Sequence, residues 1–329
     1  MVSRRSMIIV VGAGASLPAG VSFSQQNPAK IHRIGFLQLG SATLSKQRLE
    51  ALRAGLAERG YVEGKNLVVE ARWAEGNMAR VPELAAELVR LKVDVLVTSA
   101  APVIEVAQRA TRSIPIVFAV TGDPVGSGLV LSLARPGGNL TGQTLMSSDL
   151  AGKWLQIVRE LVPGASRVAL LALANASGTR LLQEQLRPVM QKMQVELIFT
   201  PLANVTDLPG AFATMRREQA QALIVQVNPI AADNRAQIAE LAAQHRLVAV
   251  HEGSDFTEAG GLISYGPNLT EMFRYAATYV DKILKGAKPG DLPIEQPTKF
   301  EMVINLKTAR ALGIKIPMPI MVQATRVIE

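Results

Sequence analysis

The chain has 329 residues, of which 48% are hydrophobic and 19% are charged, a globular composition with enough apolar material for two cores. Its net charge of +8 comes without a dense run of Lys or Arg and with only 4% aromatic residues, which argues against nucleic-acid binding. There is no cysteine, which excludes disulfides, a thiol nucleophile and a lipid-attachment cysteine.

The first 24 residues have the anatomy of a secretory signal. Arg4 and Arg5 precede an apolar run over residues 7–17, and the small-residue pattern Ser22-Phe23-Ser24 follows. The run is shorter than the roughly 20 residues that span a bilayer, which argues against a membrane anchor. We therefore expect a signal peptide over 1–24 and a mature periplasmic chain, exported by either the general or the twin-arginine route.

Short apolar runs alternate with helix-period segments from residue 33 onward. Most runs are nearly continuous in Val, Ile, Leu and Ala, which is typical of parallel strands covered by helices on both faces. They occupy residues 33–40, 66–73, 93–100, 114–120, 167–174, 195–202, 222–227 and 247–253. The pattern of about four βα units, an interruption and about four more predicts two doubly wound, Rossmann-like α/β lobes.

Three further strand-like stretches break this repeat, and we expect the chain to cross between the lobes at each of them. The stretches are 140–145, 261–267 and 299–306, and together they predict a three-stranded hinge. A helix from Asn268 to Gly286 would return to the first lobe. The predicted limits are 31–142 with 268–298 for lobe 1, and 143–267 with 299–329 for lobe 2.

The glycine-rich stretch at residues 120–130 lacks both nucleotide-binding fingerprints. Leu131 stands where a dinucleotide loop needs its third glycine, and the Gly-Lys-Ser/Thr of a phosphate loop is absent. Asp123 followed by Pro124 is instead a helix-start signal, and Gly126 and Gly128 would allow that helix to pack closely on the sheet.

Several segments carry a family resemblance. The stretches 54–67, 114–142, 259–268 and 279–317, with "EQPTKFEMVINLKTA" the most specific part, resemble the ABC-transporter substrate-binding proteins that include the TrpX-type tryptophan binders. The resemblance runs from about residue 31 to the C-terminus and implies a type I periplasmic-binding-protein fold, a ligand held between two lobes and delivery to a membrane permease. The stretch "LALANASG" lacks the tryptophan-asparagine-proline pattern of many members, so the substrate does not follow from the resemblance.

Ligands of open α/β sheets bind beyond the carboxyl ends of the strands, and the loops there supply the candidate ligand-binding residues. The candidates are Gln38, Ser41, Trp73, Ser99, Ala100, Thr121, Asp123, Asn175, Asn228, His251, Asp255 and Tyr265.

Four candidates in the first half also have a purely structural interpretation. Ser41 and Ser99 are placed to hold a ligand carboxylate or to cap the helices that follow. Asp123 either caps a helix or receives an ammonium group from an amino-acid-like ligand. Trp73 either stacks on a planar solute or packs within its lobe.

The candidates in the second half are equally open. Asn175 and Asn228 offer amides to a ligand or serve as turn residues. His251 and Asp255 lie in the polar stretch "HEGSD", whose spacing differs from that of a His-Glu-x-x-His metal site, so we expect ligand contact and no metal or cofactor. Tyr265 either reaches the cleft or supports the hinge.

The leading hypothesis is a monomeric periplasmic ABC-importer component that closes around a carboxylate-bearing small molecule such as an amino acid, which could be aromatic. An exported α/β enzyme is the alternative, but it needs a nucleotide fingerprint, a Gly-x-Ser-x-Gly elbow or a metal set, and none is present in the sequence. A two-lobed sensor that signals ligand occupancy to a partner is a further alternative. A transcriptional regulator would need a DNA-binding domain where the export signal stands.

Overall fold

The computed structural model describes residues 30–43, 45–145 and 147–329, so the expected signal peptide over 1–24 lies outside the described residues. Within these ranges, the helices are all too short or too polar to cross a membrane.

The first sheet is parallel throughout and follows the order β2-β1-β3-β4-β5. Apolar side chains fill both of its faces, as expected for strands that helices cover on two sides. Its strands are β1 (His32–Gln38), β2 (Leu67–Trp73), β3 (Val95–Ser99), β4 (Ile116–Thr121) and β5 (Leu140–Thr144). The helices between them are α1 (Lys46–Ala57), α2 (Val81–Arg90) and α3 (Ala101–Ala110).

The second sheet has the order β12-β11-β10-β9-β8-β6-β7, and only the pairing of β10 with β11 is antiparallel among its described pairs. Its strands are β6 (Arg167–Leu173), β7 (Glu196–Leu202), β8 (Ala222–Val225), β9 (Val248–His251), β10 (Ile263–Gly266), β11 (Glu301–Asn305) and β12 (Arg326–Ile328). The associated helices are α4 (Ser147–Leu161), α5 (Ser177–Met193), α6 (Leu208–Arg217), α7 (Pro229–Asp233), α8 (Arg235–Gln244), α9 (Ser254–Glu258), α11 (Leu306–Leu312) and α12 (Met318–Met321). The two lobes predicted from the alternating runs are therefore confirmed.

The chain passes between the sheets at the three strand-like stretches. β5 is the edge strand of the first sheet, whereas β10 and β11 pair with each other in the second. Between them runs α10 (Leu269–Leu284), whose buried side chains Phe273 and Val280 belong to the same apolar core as Phe36 of β1 and Leu52 of α1. This helix therefore completes one face of the first lobe.

The loop after β4 differs from the expectation. The prediction that a helix begins at Pro124 is wrong, because residues 124–128 form a succession of turns. The Asp123 carboxylate instead accepts hydrogen bonds from the backbone N–H groups of Val125 and Gly126, at 3.0 and 2.9 Å, and so shapes a local turn. Gly126 lies against Leu181 of α5 in the second lobe, where a Cβ would overlap the leucine side chain. The glycine therefore allows the two lobes to approach each other, rather than allowing a helix to pack on the first sheet.

Candidate ligand-binding site

Four candidate residues end neighbouring strands of the first sheet and form a row along its carboxyl edge. Strand register pairs Trp73 with Gln38 and brings Ser99 beside Gln38, and Thr121 ends the next strand. The Ser99 hydroxyl donates a buried hydrogen bond of 2.7 Å to Gln38 Oε1. We call these four residues the strand-end row.

Three donors of the strand-end row have no acceptor among the residues that the structure describes. They are Gln38 Nε2, Trp73 Nε1 and Thr121 Oγ1, and each of these atoms is buried. An indole N–H and an amide NH₂ can only donate, and a hydroxyl can donate as well as accept. Because a buried donor without a partner costs about 1–3 kcal/mol, the row is suited to a group that presents several acceptor oxygens.

A cavity of about 80 Å³ lies between the lobes beside this edge. It is lined by Ala100, Pro102, Gly122 and Asp123 from the first lobe and by Leu182, Gln185, Gln226 and Asn228 from the second. Ala100 adopts a φ of +66°, a strained conformation for a residue with a Cβ, while its N–H bonds to the Val120 carbonyl at 3.1 Å. Strain of this kind beside an interlobe cavity marks the start of α3 as part of the candidate site.

Asn228 lines the cavity, but its side chain is already engaged locally. Its Oδ1 accepts from the Ala231 N–H at 2.9 Å, and its Nδ2 donates to the Gln226 carbonyl at 3.1 Å. The side chain therefore caps α7, as the local interpretation of this asparagine predicts. Both of its polar groups already make local hydrogen bonds.

Glu252 directly follows β9; in the sequence it counts, with His251 and Asp255, only as part of a metal or acid/base cluster and is not among the candidate ligand-binding residues. Its side chain is 1% exposed, and its Oε2 accepts from the Val227 N–H at 2.9 Å. Val227 contacts an apolar core of each lobe, so this carboxylate lies where the lobes meet. The only signal in the sequence was the polar stretch that contains it.

Ser41 and Asp255 lie in polar contacts between the lobes. The Ser41 N–H donates to Asp233 Oδ2 at 2.8 Å, so the loop after β1 is bound through its backbone. Asp255 lies with Arg48 and Arg235 on a small cavity of about 30 Å³, and its Oδ1 is buried without a hydrogen-bond partner among the described residues.

Burial and opposing charges shift the titration of this cluster. Burial raises the pKa of the Asp255 carboxyl, and the positive charges of Arg48 and Arg235 partly oppose that shift. Burial likewise raises the pKa of Asp233, against the hydrogen bond from Ser41 and the same two arginines. Burial lowers the pKa of the Arg48 guanidinium, and both carboxylates counteract it. Neither Asp233 nor Arg48 is marked by any pattern in the sequence.

Of the twelve candidates, Ala100, Asp123 and Asn228 line the interlobe cavity. Three of the others also lie apart from the strand-end row and from the polar contacts between the lobes. His251 is fully buried and stacks on Phe256 at 5.0 Å, and burial lowers its pKa to about 3, so it is a neutral core side chain. Asn175 is exposed in a left-handed turn with a φ of +55°. The Tyr265 ring stacks on Phe300 at 6.0 Å, which places it in the packing beside the antiparallel β10–β11 pair.

The described side chains contain no group of three or more His, Asp or Glu residues arranged to hold a metal ion.

Residues 39–328 match a family model described as ABC transporter substrate binding protein. The chain belongs to this family. The match confirms the resemblance carried by the segments from residue 54 to 317, and the family and its fold are those of solute-binding proteins.

A tyrosine-binding protein of Clostridioides difficile strain R20291 is 25% identical to this substrate-binding protein over 324 residues, covering 94% of this chain and 92% of the relative. A conserved domain protein of Vibrio cholerae is 27% identical, with a TM-score of 0.84 over 91% of this chain and 100% of that one. An ABC domain of Streptococcus pneumoniae in complex with L-tryptophan is 24% identical, with a TM-score of 0.83 and the same coverage of both chains. These likenesses confirm the type I periplasmic-binding-protein fold.

Proposed function

We propose that this protein binds a carboxylate-bearing small molecule between its lobes and presents it to the permease of an ABC importer. Within this class, we propose an aromatic amino acid as the ligand. The observation that carries the proposal is the strand-end row, where buried donors of Gln38, Trp73 and Thr121 have no acceptor among the described residues, at the sheet edge beside the interlobe cavity. A carboxylate supplies two oxygens with several lone pairs, which matches such a set of donors.

The second lobe supports the amino end of the same ligand. Glu252 follows β9 and approaches the first lobe through Val227, and Asp255 lies on the smaller cavity with Arg48 and Arg235. An ammonium group is the natural complement of buried carboxylates. The related proteins of Clostridioides difficile and Streptococcus pneumoniae, described by their names as binding tyrosine and L-tryptophan, support an aromatic side chain on the ligand.

The size of the cleft supports hinge motion. The interlobe cavity of about 80 Å³ is well below the roughly 300–1,000 Å³ of sites that hold drug-sized ligands. Entry of an amino acid therefore requires the lobes to separate, and we place the lobe limits at 31–142 with 268–298 and at 143–267 with 299–329. We further propose that the protein is exported, that residues 1–24 are removed and that the mature chain is a monomer.

A thermal-shift screen of the purified protein tests the ligand class. We expect L-tyrosine, L-tryptophan or another carboxylate to stabilise the protein, by about 2.7 kcal/mol at a concentration of 100 Kd. Sugars and nucleosides should have no effect. Stabilisation by sugars alone would overturn the proposal.

Two matched threonine variants test the strand-end row. Thr121 and Thr257 are both buried and both have an Oγ1 without a described partner, but only Thr121 ends a strand at the cleft. Thr121→Val should weaken binding of the stabilising ligand about tenfold, since one hydrogen bond to a charged group is worth about 1.5–3 kcal/mol. Thr257→Val should leave the Kd unchanged, and equal effects of the two substitutions would argue against the row.

A further inference from the structure

Asp233 joins the two lobes through a directed hydrogen bond. It ends α7 in the second lobe, and its Oδ2 accepts the hydrogen bond from the Ser41 N–H of the first lobe, across 192 residues of sequence. Carboxylate–amide hydrogen bonds of this kind are charge-assisted and stronger than neutral ones.

Gly40 makes the close approach of this carboxylate sterically possible. A Cβ on Gly40 would lie 2.8 Å from both Oδ1 and Oδ2 of Asp233. Any larger side chain there would therefore push the carboxylate away from the Ser41 N–H. The fit of Gly40, Ser41 and Asp233 depends on the lobes being together.

The loop that Asp233 contacts continues directly from the candidate site. Gln38 ends β1, and its Nε2 is one of the unpartnered donors, two residues before Gly40. The same loop is also held within the first lobe, because the Gly76 N–H donates a hydrogen bond of 2.7 Å to the Leu39 carbonyl. Asp233 thus supplies the contact from the opposite lobe.

Burial raises the pKa of the Asp233 carboxyl, and neighbouring positive charges partly oppose that shift. Arg48 of α1 and Arg235 of α8 both interact favourably with it, whereas Glu75 opposes it. Arg235 is itself oriented by a hydrogen bond of 2.8 Å to the Ala232 carbonyl. The contact therefore combines a hydrogen bond with attraction between the lobes.

We propose that Asp233 is a positioning residue that fastens the β1–α1 loop to the second lobe and so couples lobe closure to the placement of the ligand-binding end of β1. This inference rests on the proposed function, because it assumes that the lobes open and close around a ligand.

Pulsed electron paramagnetic resonance on the ligand-free protein tests the inference without a known ligand. The natural chain has no cysteine, so Ala79→Cys and Val205→Cys can carry spin labels. Both are exposed and lie in short turns that follow the carboxyl ends of β2 and β7, one in each lobe. Their distance distribution reports the open and closed populations.

We expect Asp233→Ala and Gly40→Ala each to raise the open-to-closed ratio about tenfold, as loss of a charge-assisted hydrogen bond predicts. Asp233→Asn should fall between Asp233→Ala and the natural protein, because the amide oxygen still accepts from Ser41. Two controls should leave the distribution unchanged: Asp291→Ala, at an exposed aspartate, and Gly210→Ala, where a Cβ meets no atom within 4 Å.

An Asp233→Ala distribution identical to that of the natural protein, with both folded, would overturn the inference. Urea unfolding of each variant separates this result from misfolding, since a positioning role predicts changed lobe distances with a nearly unchanged unfolding midpoint. If no amino acid or other carboxylate stabilises the protein in the thermal-shift screen, the proposed function is wrong. The distance measurement on the ligand-free protein would still decide the role of Asp233.

Discussion

Replacing His251 by leucine should make the protein less sensitive to acid. The imidazole is fully buried, and neither ring nitrogen has a partner among the described residues. Burial lowers its pKa from 6.5 to about 3, because the surroundings do not solvate the imidazolium. The leucine variant should be at least as stable as the natural protein at pH 7.5, since it removes unpartnered polar atoms from the core.

The magnitude follows from the shift in pKa. As the pH falls below 6.5, His251 takes up a proton in the unfolded chain, but in the native protein it stays neutral until about pH 3. The stability of the native protein is therefore full above pH 6.5 and decreases between pH 6.5 and pH 3. At about 1.4 kcal/mol per pH unit, the natural protein should lose about 2 kcal/mol between pH 7.5 and pH 5 through this residue. The leucine variant should not show this component.

Urea unfolding at pH 7.5 and pH 5 measures the difference between the two proteins. The raised pKa values of Asp233 and Asp255 act in the opposite direction, but they are common to both proteins and cancel in the comparison. His245→Leu, at a histidine that is only partly buried, is the control and should follow the natural protein. If His251→Leu and the natural protein lose the same free energy between the two pH values, the assignment of His251 as a neutral core residue is wrong.

Two further substitutions test the packing that supports the lobes. Gly142→Ala should cost about 2–4 kcal/mol in urea unfolding, because Gly142 has a φ of +150° and a Cβ there would overlap the Phe118 carbonyl oxygen; a loss below about 0.5 kcal/mol would contradict this reason. Trp154→Phe should lower the free energy of unfolding by about 1–3 kcal/mol, because the buried indole N–H donates a hydrogen bond of 2.8 Å to the Tyr265 carbonyl. Urea unfolding followed by circular dichroism measures this loss, and an unchanged unfolding midpoint would show that the hydrogen bond contributes nothing.

The sheet architecture could be predicted from the sequence because its signal is local and repeated. Nearly continuous apolar runs such as 93–100 and 167–174 became β3 and β6, and both are buried along most of their length. A strand with two covered faces needs apolar residues at almost every position, so the pattern is hard to mistake. The fold class followed from the order of these runs.

The candidate site was only partly predictable, because its contacts join distant parts of the chain. Gln38 and Ser99 were proposed from their place at strand ends, and the structure joins them by a hydrogen bond. The partner of Ser41 is 192 residues away, and nothing near Asp233 in the sequence marks it. His251 misled the interpretation for the opposite reason, since its polarity suggested a binding group whereas tertiary packing buries it beside Phe256.

The position of α10 has a consequence for the order in which the protein is made. Phe273 and Val280 complete the core beneath α1, although they follow nearly the whole second sheet in sequence. During synthesis the amino-terminal lobe therefore exposes an unfinished apolar face until the ribosome has passed residue 284. Ile304 and Ile320 complete the other lobe later still. A nascent chain that cannot finish either core early therefore stays incompletely folded until most of its length has been synthesised.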